Sequence, residues 1–191
     1  MVKKHIITIA GKLGSGKSST AKLVAELLSY KHYSTGDFMR SIANERGISL
    51  TDLSLIAEKD DTIDKALDDH NLEIGKMENV VLDSRLGFHF IPASFKVFLE
   101  LDPSIACLRI LEDKRTNPNR YTEATLFDSK EKVIESIKNR LLSERKRYKE
   151  LYGIEDHTAH NNFDLVIDTE KIPLVEVSQK VIEEYNKWLN E

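Results

Sequence analysis

A glycine-rich segment near the amino terminus has the residue types and spacing needed to hold phosphate. Residues 11–18 fit the pattern G-x-x-x-x-G-K-[ST]. The glycines allow a sharp turn that brings backbone N–H groups close to phosphate oxygens, and a helix after the loop adds the partial positive charge of its amino end. The pattern therefore predicts a nucleoside triphosphate site. The residues expected to line it are Gly11, Lys12, Leu13, Gly14, Ser15, Gly16, Lys17, Ser18 and Ser19.

Lys17 and Ser18 carry the polar side chains that phosphate chemistry uses in such a loop. The lysine can reach the β- and γ-phosphates, and the serine hydroxyl can bind Mg²⁺. Asp83 ends a run of apolar residues, 80–82, that is typical of a buried strand. A carboxylate there can hold a Mg²⁺-bound water or orient an arginine. We therefore predict Lys17 as a catalytic residue, Ser18 as a metal ligand and Asp83 as part of the substrate site.

Several arginines lie at positions in the sequence where they could bind a second anion. Two phosphate groups repel each other, so transfer between them requires cations around both, and a planar guanidinium grips two phosphate oxygens at once. Arg40 lies one helical turn after Gly36 and Asp37, and Arg85 follows the strand that ends at Asp83. We therefore expect Arg40 and Arg85 near an acceptor phosphate.

Further cations occur later in the chain. Arg140, Glu144 and Arg147 have i, i+4, i+7 spacing, which puts them on one face of a long charged helix. This pattern also fits an ordinary salt-bridged helix face. Arg115 and Arg120 fall in a polar stretch, residues 113–128, that we interpret as a lid able to exclude water during transfer.

The same phosphate loop also occurs in GTPase switches, which bind and signal rather than carry out metabolism. Guanine recognition in that class uses an Asn-Lys-x-Asp segment after a strand. The only Asn-Lys pair here, at 186–187, is followed by Trp188 inside the last predicted helix. The arginines favour a kinase over a switch.

Composition narrows the class of protein further. The chain has 191 residues, enough for one α/β domain over 1–191, and its net charge of −4 offers no general basic field for nucleic acid. Cys107 is the only cysteine, so no intramolecular disulfide is possible. No apolar run approaches the roughly 20 residues that span a bilayer. We expect a cytoplasmic monomer that binds neither membrane nor nucleic acid.

Hydrophobic patterning predicts alternating strands and helices. Apolar strands of this kind imply an α/β fold with a parallel sheet covered on both faces. The strands are expected at 5–10, near 32–33, and at 80–82, 95–101 and 165–167. The helices are expected at 17–29, 38–46, 51–58, 62–75, 104–112, 129–151 and 173–189.

With these motifs in place, the chain resembles the cytidylate kinases, most closely the short archaeal type, nearly from end to end. The segment 34–40, Ser-Thr-Gly-Asp-Phe-Met-Arg, is similar to the family's acceptor-phosphate segment. Residues 80–86 resemble its strand and Gly-Arg-Leu turn, with Ser84 in place of the glycine. The C-terminal segments 147–154 and 164–169 also match, whereas the predicted lid is longer than the family's.

The resemblance implies a three-layer P-loop fold with a five-stranded parallel sheet in the order 2-3-1-4-5 and an acceptor-binding region at about 34–78. It implies ATP as donor, Mg²⁺ as cofactor, and CMP or dCMP as the small-molecule acceptor. By position, the acceptor would be bound by Ser34, Gly36, Asp37, Arg40, Asp83, Arg85, Arg140, Glu144 and Arg147. The residues expected to act on the transferring group are Lys17, Arg115, Arg140 and Arg147.

Several alternatives stay open at this point. The acceptor could be UMP, AMP or a metabolite such as dephospho-coenzyme A, and the chain could instead be a P-loop regulatory protein. Asp64 or Asp68 could accept the amino group of a base, but both also fit a solvated helix face. His157 and His160 stand in a polar stretch typical of an exposed loop.

Overall fold

The computed structural model describes residues 3–48, 50–57, 60–116 and 129–191. Within these ranges the strands are β1 (Ile6–Gly11), β2 (Lys31–Ser34), β3 (Val80–Asp83), β4 (Phe95–Glu100) and β5 (Leu165–Asp168). They form one parallel sheet in the order β2-β3-β1-β4-β5. This order confirms the fold that the resemblance implied.

Helices connect the strands and cover the sheet. They are α1 (Lys17–Leu28), α2 (Thr35–Glu45), α3 (Leu50–Ala57), α4 (Thr62–Ile74), α5 (Gly87–Phe90), α6 (Pro103–Thr116), α7 (Lys130–Tyr152) and α8 (Leu174–Asn190). Among the described residues, no helix combines the length and the apolar character that crossing a membrane requires.

Alternate residues of the central strand face the two covering layers, as side-chain alternation in a strand requires. Ile7 and Ile9 pack with α1 and α8 in one core cluster, while Ile6 belongs to a second cluster with Ile74 and Ile91. Because both faces are covered, β1 is buried along its whole length, and the runs at 80–82 and 97–99 are apolar. This explains the continuous hydrophobic runs in the sequence.

Two helices begin or end three or four residues away from the sequence expectation. Ser34 caps α2 by accepting a hydrogen bond from the Asp37 amide at 3.2 Å, so this helix starts at Thr35 rather than at residue 38. Helix α6 continues to Thr116, so residues 113–116 are helical and the helix ends four residues later than expected. The residues there include strong helix formers, and polarity alone misled the prediction. The rest of the expected lid, 117–128, lies outside the described residues.

Packing of α8 against the sheet should contribute measurably to stability. Val181 is fully buried in the main cluster, and Val175 on the same helix is 55% exposed. We expect Val181→Ala to lower the free energy of unfolding by about 2 kcal/mol, since it removes buried methyl groups and leaves a cavity. We expect the matched control Val175→Ala to change it by less than about 0.5 kcal/mol. Urea unfolding measures both, and equal effects would contradict this packing.

Candidate active site

The loop between β1 and α1 has the backbone shape that close contact with phosphate requires. A side chain at Gly11 would place its Cβ 2.7 Å from the carbonyl oxygen of Leu99, so only glycine fits there. Gly16 has a φ of 83°, a left-handed conformation that favours glycine, and it immediately precedes the first residue of α1. The buried Ser15 hydroxyl has no hydrogen-bond partner among the described residues. This geometry fits an anion cradle at the amino end of α1.

Residues from other parts of the chain also hold the phosphate loop in place. Thr169, just after β5, donates a hydrogen bond to the Ser15 carbonyl at 3.1 Å. Lys12 pairs with Glu100, and Leu13 packs against a cluster between α6 and α7. Lys12 and Leu13 therefore brace the loop in this structure.

Asp83 brings the polar side chains of the loop together. Lys17 Nζ donates to Asp83 Oδ1, and Ser18 Oγ donates to Asp83 Oδ2, both at 2.6 Å. Burial by itself would raise the pKa of Asp83, but the Lys17 ammonium and these two hydrogen bonds outweigh it and hold the pKa below its ordinary value. Asp83 is thus an ionised carboxylate beside the phosphate loop.

A second group of charges centres on Glu144. Arg85 Nε and Arg140 Nε each lie 3.0 Å from Glu144 Oε1, so two guanidinium groups share one carboxylate oxygen. Burial opposes ionisation of Glu144, but Arg85, His157 and Arg140 together hold its pKa far below the ordinary value. The positive charges of Arg85 and Arg140 also help to lower the pKa of Lys17, after burial itself. The two groups of charges are therefore close enough to interact.

His157 supports the second group of charges, and this role of His157 was not predicted from the sequence. Its side chain is buried rather than in an exposed loop, with Nε2 3.5 Å from Glu144 Oε2 and its ring edge-on to Tyr148 at 4.9 Å. The expectation was wrong because burial here depends on the packing of residues 153–163 against α7, for which the local sequence has no periodic signal. His160 is exposed and pairs with Glu100.

The start of α2, which carries the expected acceptor-phosphate residues, lies beside Asp83. Ser34 is the register partner of Asp83 across β2 and β3, which puts the start of α2 next to the phosphate loop. Arg40 pairs with Asp37 one turn along the helix, and both side chains are more than half exposed. Gly36 precedes Asp37, and a Cβ built there would lie 3.6 Å from the Arg40 guanidinium, an ordinary contact distance. Arg40 is thus solvent-accessible and pairs with an acid of its own helix.

Arg147 has different surroundings from Arg140. Its Nε lies 3.7 Å from Asp64 Oδ1 on α4, beyond hydrogen-bonding distance. One turn further along α4, Asp68 accepts hydrogen bonds from the Tyr152 hydroxyl at 2.9 and 3.0 Å. Arg115 ends up in the last turns of α6, and Arg120 lies outside the described residues.

The oxygen donors at the loop fit a Mg²⁺ ion that is held mainly by phosphate. Mg²⁺ prefers oxygen ligands and keeps several waters, so one hydroxyl and one carboxylate suffice beside phosphate oxygens. Ser18 and Asp83 are such a pair. Across the described ranges, no group of three or more His, Cys, Asp and Glu side chains is arranged to hold a metal ion.

Comparisons with known proteins agree with this geometry. Residues 6–171 match the model of the cytidylate kinase-like family. The chain is 35% identical to a cytidylate kinase of Staphylothermus marinus, over 97% of this chain and 99% of that one. It is 33% identical to an S-adenosylmethionine-dependent nucleotide dehydratase of Lacinutrix mariniflava, over 96% of this chain but only 36% of that protein's length.

A solved structure shares the fold. A shikimate kinase from Bacteroides thetaiotaomicron superposes with a TM-score of 0.65 at 12% identity, covering 97% of this chain and 98% of that one. The fold is therefore that of the P-loop kinases, and the cytidylate kinase relatives support nucleotide kinase activity. The matched family model and the relatives of similar length lead to one conclusion: the chain belongs to the cytidylate kinase-like family.

Proposed function

We propose that this protein transfers the γ-phosphate of ATP to CMP or dCMP, forming CDP or dCDP and ADP. The observation that carries the proposal is the pair of adjoining charge groups. Lys17 and Ser18 meet at Asp83, and Arg85 and Arg140 meet at Glu144. One group suits a triphosphate and the other a second anion. A nucleotide switch or a simple hydrolase needs only the first.

The donor side is preorganised around Asp83. Backbone N–H groups of the glycine loop surround the triphosphate, and Lys17 moves from Asp83 to the β- and γ-phosphates. Mg²⁺, bound at Ser18 with Asp83 close by, neutralises charge on the phosphate oxygens when present. The other residues of the loop, 11–16 and 19, fix the phosphates without reacting.

The acceptor side uses the arginines. Arg40 and Arg85 bind the acceptor phosphate, with Ser34, Gly36 and Asp37 shaping the start of α2 around it. Arg140 and Arg147 on α7 face charge that develops during transfer, and Glu144 orients Arg85 and Arg140. An acceptor phosphate oxygen then forms the new bond to the γ-phosphorus as the bond to the bridging oxygen of ADP breaks. Arg115 approaches from α6 as water is excluded.

A panel of acceptors tests the proposal directly. Purified protein with ATP and Mg²⁺ is assayed for ADP release with CMP, dCMP, UMP, AMP and dephospho-coenzyme A. We expect CMP and dCMP to stimulate release most strongly, because relatives of matching length are cytidylate kinases. Stimulation by another acceptor would change the assigned substrate. Stimulation by none would favour a regulatory nucleotide-binding protein.

Lys17→Ala should slow phosphate transfer and leave the fold intact. We expect a fall in kcat of about 100-fold or more, because the variant loses the cation that stabilises the transferring group. Far-UV circular dichroism should show that the fold is kept. Lys187→Ala removes an exposed lysine of α8 and serves as the control, with kcat unchanged. Normal turnover in the Lys17 variant would remove the proposed mechanism.

Arg40→Ala should affect the acceptor and spare the donor. We expect KM for CMP to rise about 10-fold or more and kcat to fall, since a charge-assisted contact to phosphate is lost, while the Kd for ATP stays the same. Arg46→Ala, at the other end of α2, is the matched control and should leave both constants unchanged. Loss of ATP binding with normal acceptor kinetics would refute this role of Arg40.

A further inference from the structure

The residue that follows β5 contacts the phosphate loop from a distant part of the chain. Strands β4 and β5 are neighbours in the sheet, so Thr169, one residue after β5, lies beside the carboxyl end of β4. The phosphate loop crosses the same edge, because Lys12 N donates to Leu99 O at 3.0 Å. Thr169 is buried, and its hydroxyl oxygen lies 3.1 Å from the Ser15 carbonyl oxygen. The end of β5 therefore touches the loop through one hydroxyl group.

The surroundings of the Thr169 hydroxyl decide where its proton points. The hydroxyl oxygen lies 3.1 Å from Ser15 O and 3.2 Å from Glu100 O. Glu100 O already accepts a hydrogen bond from the Thr169 amide, whereas within the described ranges no backbone amide donates to Ser15 O. Arg109 Nη1 lies 3.3 Å from the hydroxyl oxygen and can only donate, so it occupies a lone pair of that oxygen. The proton is therefore directed to Ser15 O.

Arg109 also fixes the backbone on which the hydroxyl is carried. Its Nη2 donates to Thr169 O at 2.6 Å and to Glu170 O at 3.0 Å. The planar guanidinium thus holds both the main chain and the side chain at residue 169. Since two of these bonds go to main-chain oxygens, we expect loss of the hydroxyl alone to leave the backbone in place.

A hydrogen bond to Ser15 O also sets the direction of the next amide. A peptide group is planar, and in the trans form its C=O and N–H point in opposite directions. The peptide between Ser15 and Gly16 is trans, so the Gly16 N–H points away from Thr169. Glycine tolerates many backbone conformations, so the residue itself does not select this one. The hydrogen bond from Thr169 supplies the missing constraint just before α1 begins.

We propose that Thr169 is a positioning residue for nucleotide binding. Its hydroxyl, directed by Arg109, holds the peptide between Ser15 and Gly16 so that the Gly16 N–H faces the phosphates. An amide that already points at the anion binds it more tightly, because no free energy is lost in turning the peptide. The Thr169 hydroxyl acts through Ser15 and does not touch the nucleotide. The inference rests on the proposed function, since it requires ATP or ADP at the glycine loop.

Two variants separate the hydroxyl from the rest of the side chain. Thr169→Val keeps the shape without the hydroxyl, and Thr169→Ser keeps the hydroxyl without the methyl group. Calorimetry gives the Kd for ADP with Mg²⁺ and the Kd for CMP. We expect the Kd for ADP to rise about 10-fold in Thr169→Val and to stay within about 3-fold of the wild type in Thr169→Ser, because one hydrogen bond to a charged group is weakened only in the first. The Kd for CMP should stay unchanged in both.

Nuclear magnetic resonance reports on the Gly16 amide directly. In the wild type we expect the Gly16 amide proton to shift downfield when ADP binds, because it donates to a phosphate oxygen. At saturating ADP this shift should be smaller in Thr169→Val. Ser178→Ala is the matched control, since it also removes a buried hydroxyl that donates to a backbone carbonyl, Leu174 O at 2.9 Å. It should leave the Kd for ADP and the Gly16 shift unchanged.

The outcomes distinguish the inference from the proposed function. An unchanged Kd for ADP in Thr169→Val, or a raised Kd with the wild-type Gly16 shift, overturns the inference and leaves the kinase assignment standing. An equal loss in Thr169→Ser also overturns it. A wild-type Gly16 amide that does not move on ADP binding overturns it whether or not the variants fold. A wild-type protein that binds ADP with the expected shift but phosphorylates no acceptor overturns only the proposed function.

Discussion

One buried carboxylate, Glu144, makes it possible for two arginines to stand side by side. Arg85 and Arg140 would repel each other, but both lie 3.0 Å from the same oxygen, and His157 contacts the other oxygen. Two guanidinium groups around one carboxylate keep a net positive charge. The cations are therefore already in place when a negatively charged phosphate binds. Preorganised cations stabilise developing charge most effectively.

The sheet fixes where this positive region lies relative to the triphosphate loop. Neighbouring parallel strands are about 4.8 Å apart and their carboxyl ends share one edge. Gly11 ends β1, Asp83 ends β3 and Ser34 ends β2, with Asp83 in register with both Ile9 and Ser34. The relative positions of the donor loop, of Asp83 and of the start of α2 therefore follow from the order of the strands. The helices add the arginines to this edge.

Local patterns allowed much of this arrangement to be predicted from the sequence. The glycine loop and the strand that ends at Asp83 are each one continuous stretch of sequence, so the spacing of their residues reveals them. The partners of Glu144 are different: Arg85 lies far from it along the chain, and the burial of His157 depends on tertiary packing. Likewise, no sequence pattern separates Asp64 from Asp68, because their different neighbours on α7, Arg147 and Tyr152, lie far from them along the chain.

A crystal structure with CMP and a non-hydrolysable ATP analogue tests the central claim most directly. The account requires the acceptor phosphate within hydrogen-bonding distance of Arg85, and the γ-phosphate within reach of Lys17, with the two phosphates adjacent. A CMP phosphate bound away from Arg85, with the Arg85–Glu144–Arg140 group still closed on itself, would contradict the account. In that case only the triphosphate site would remain.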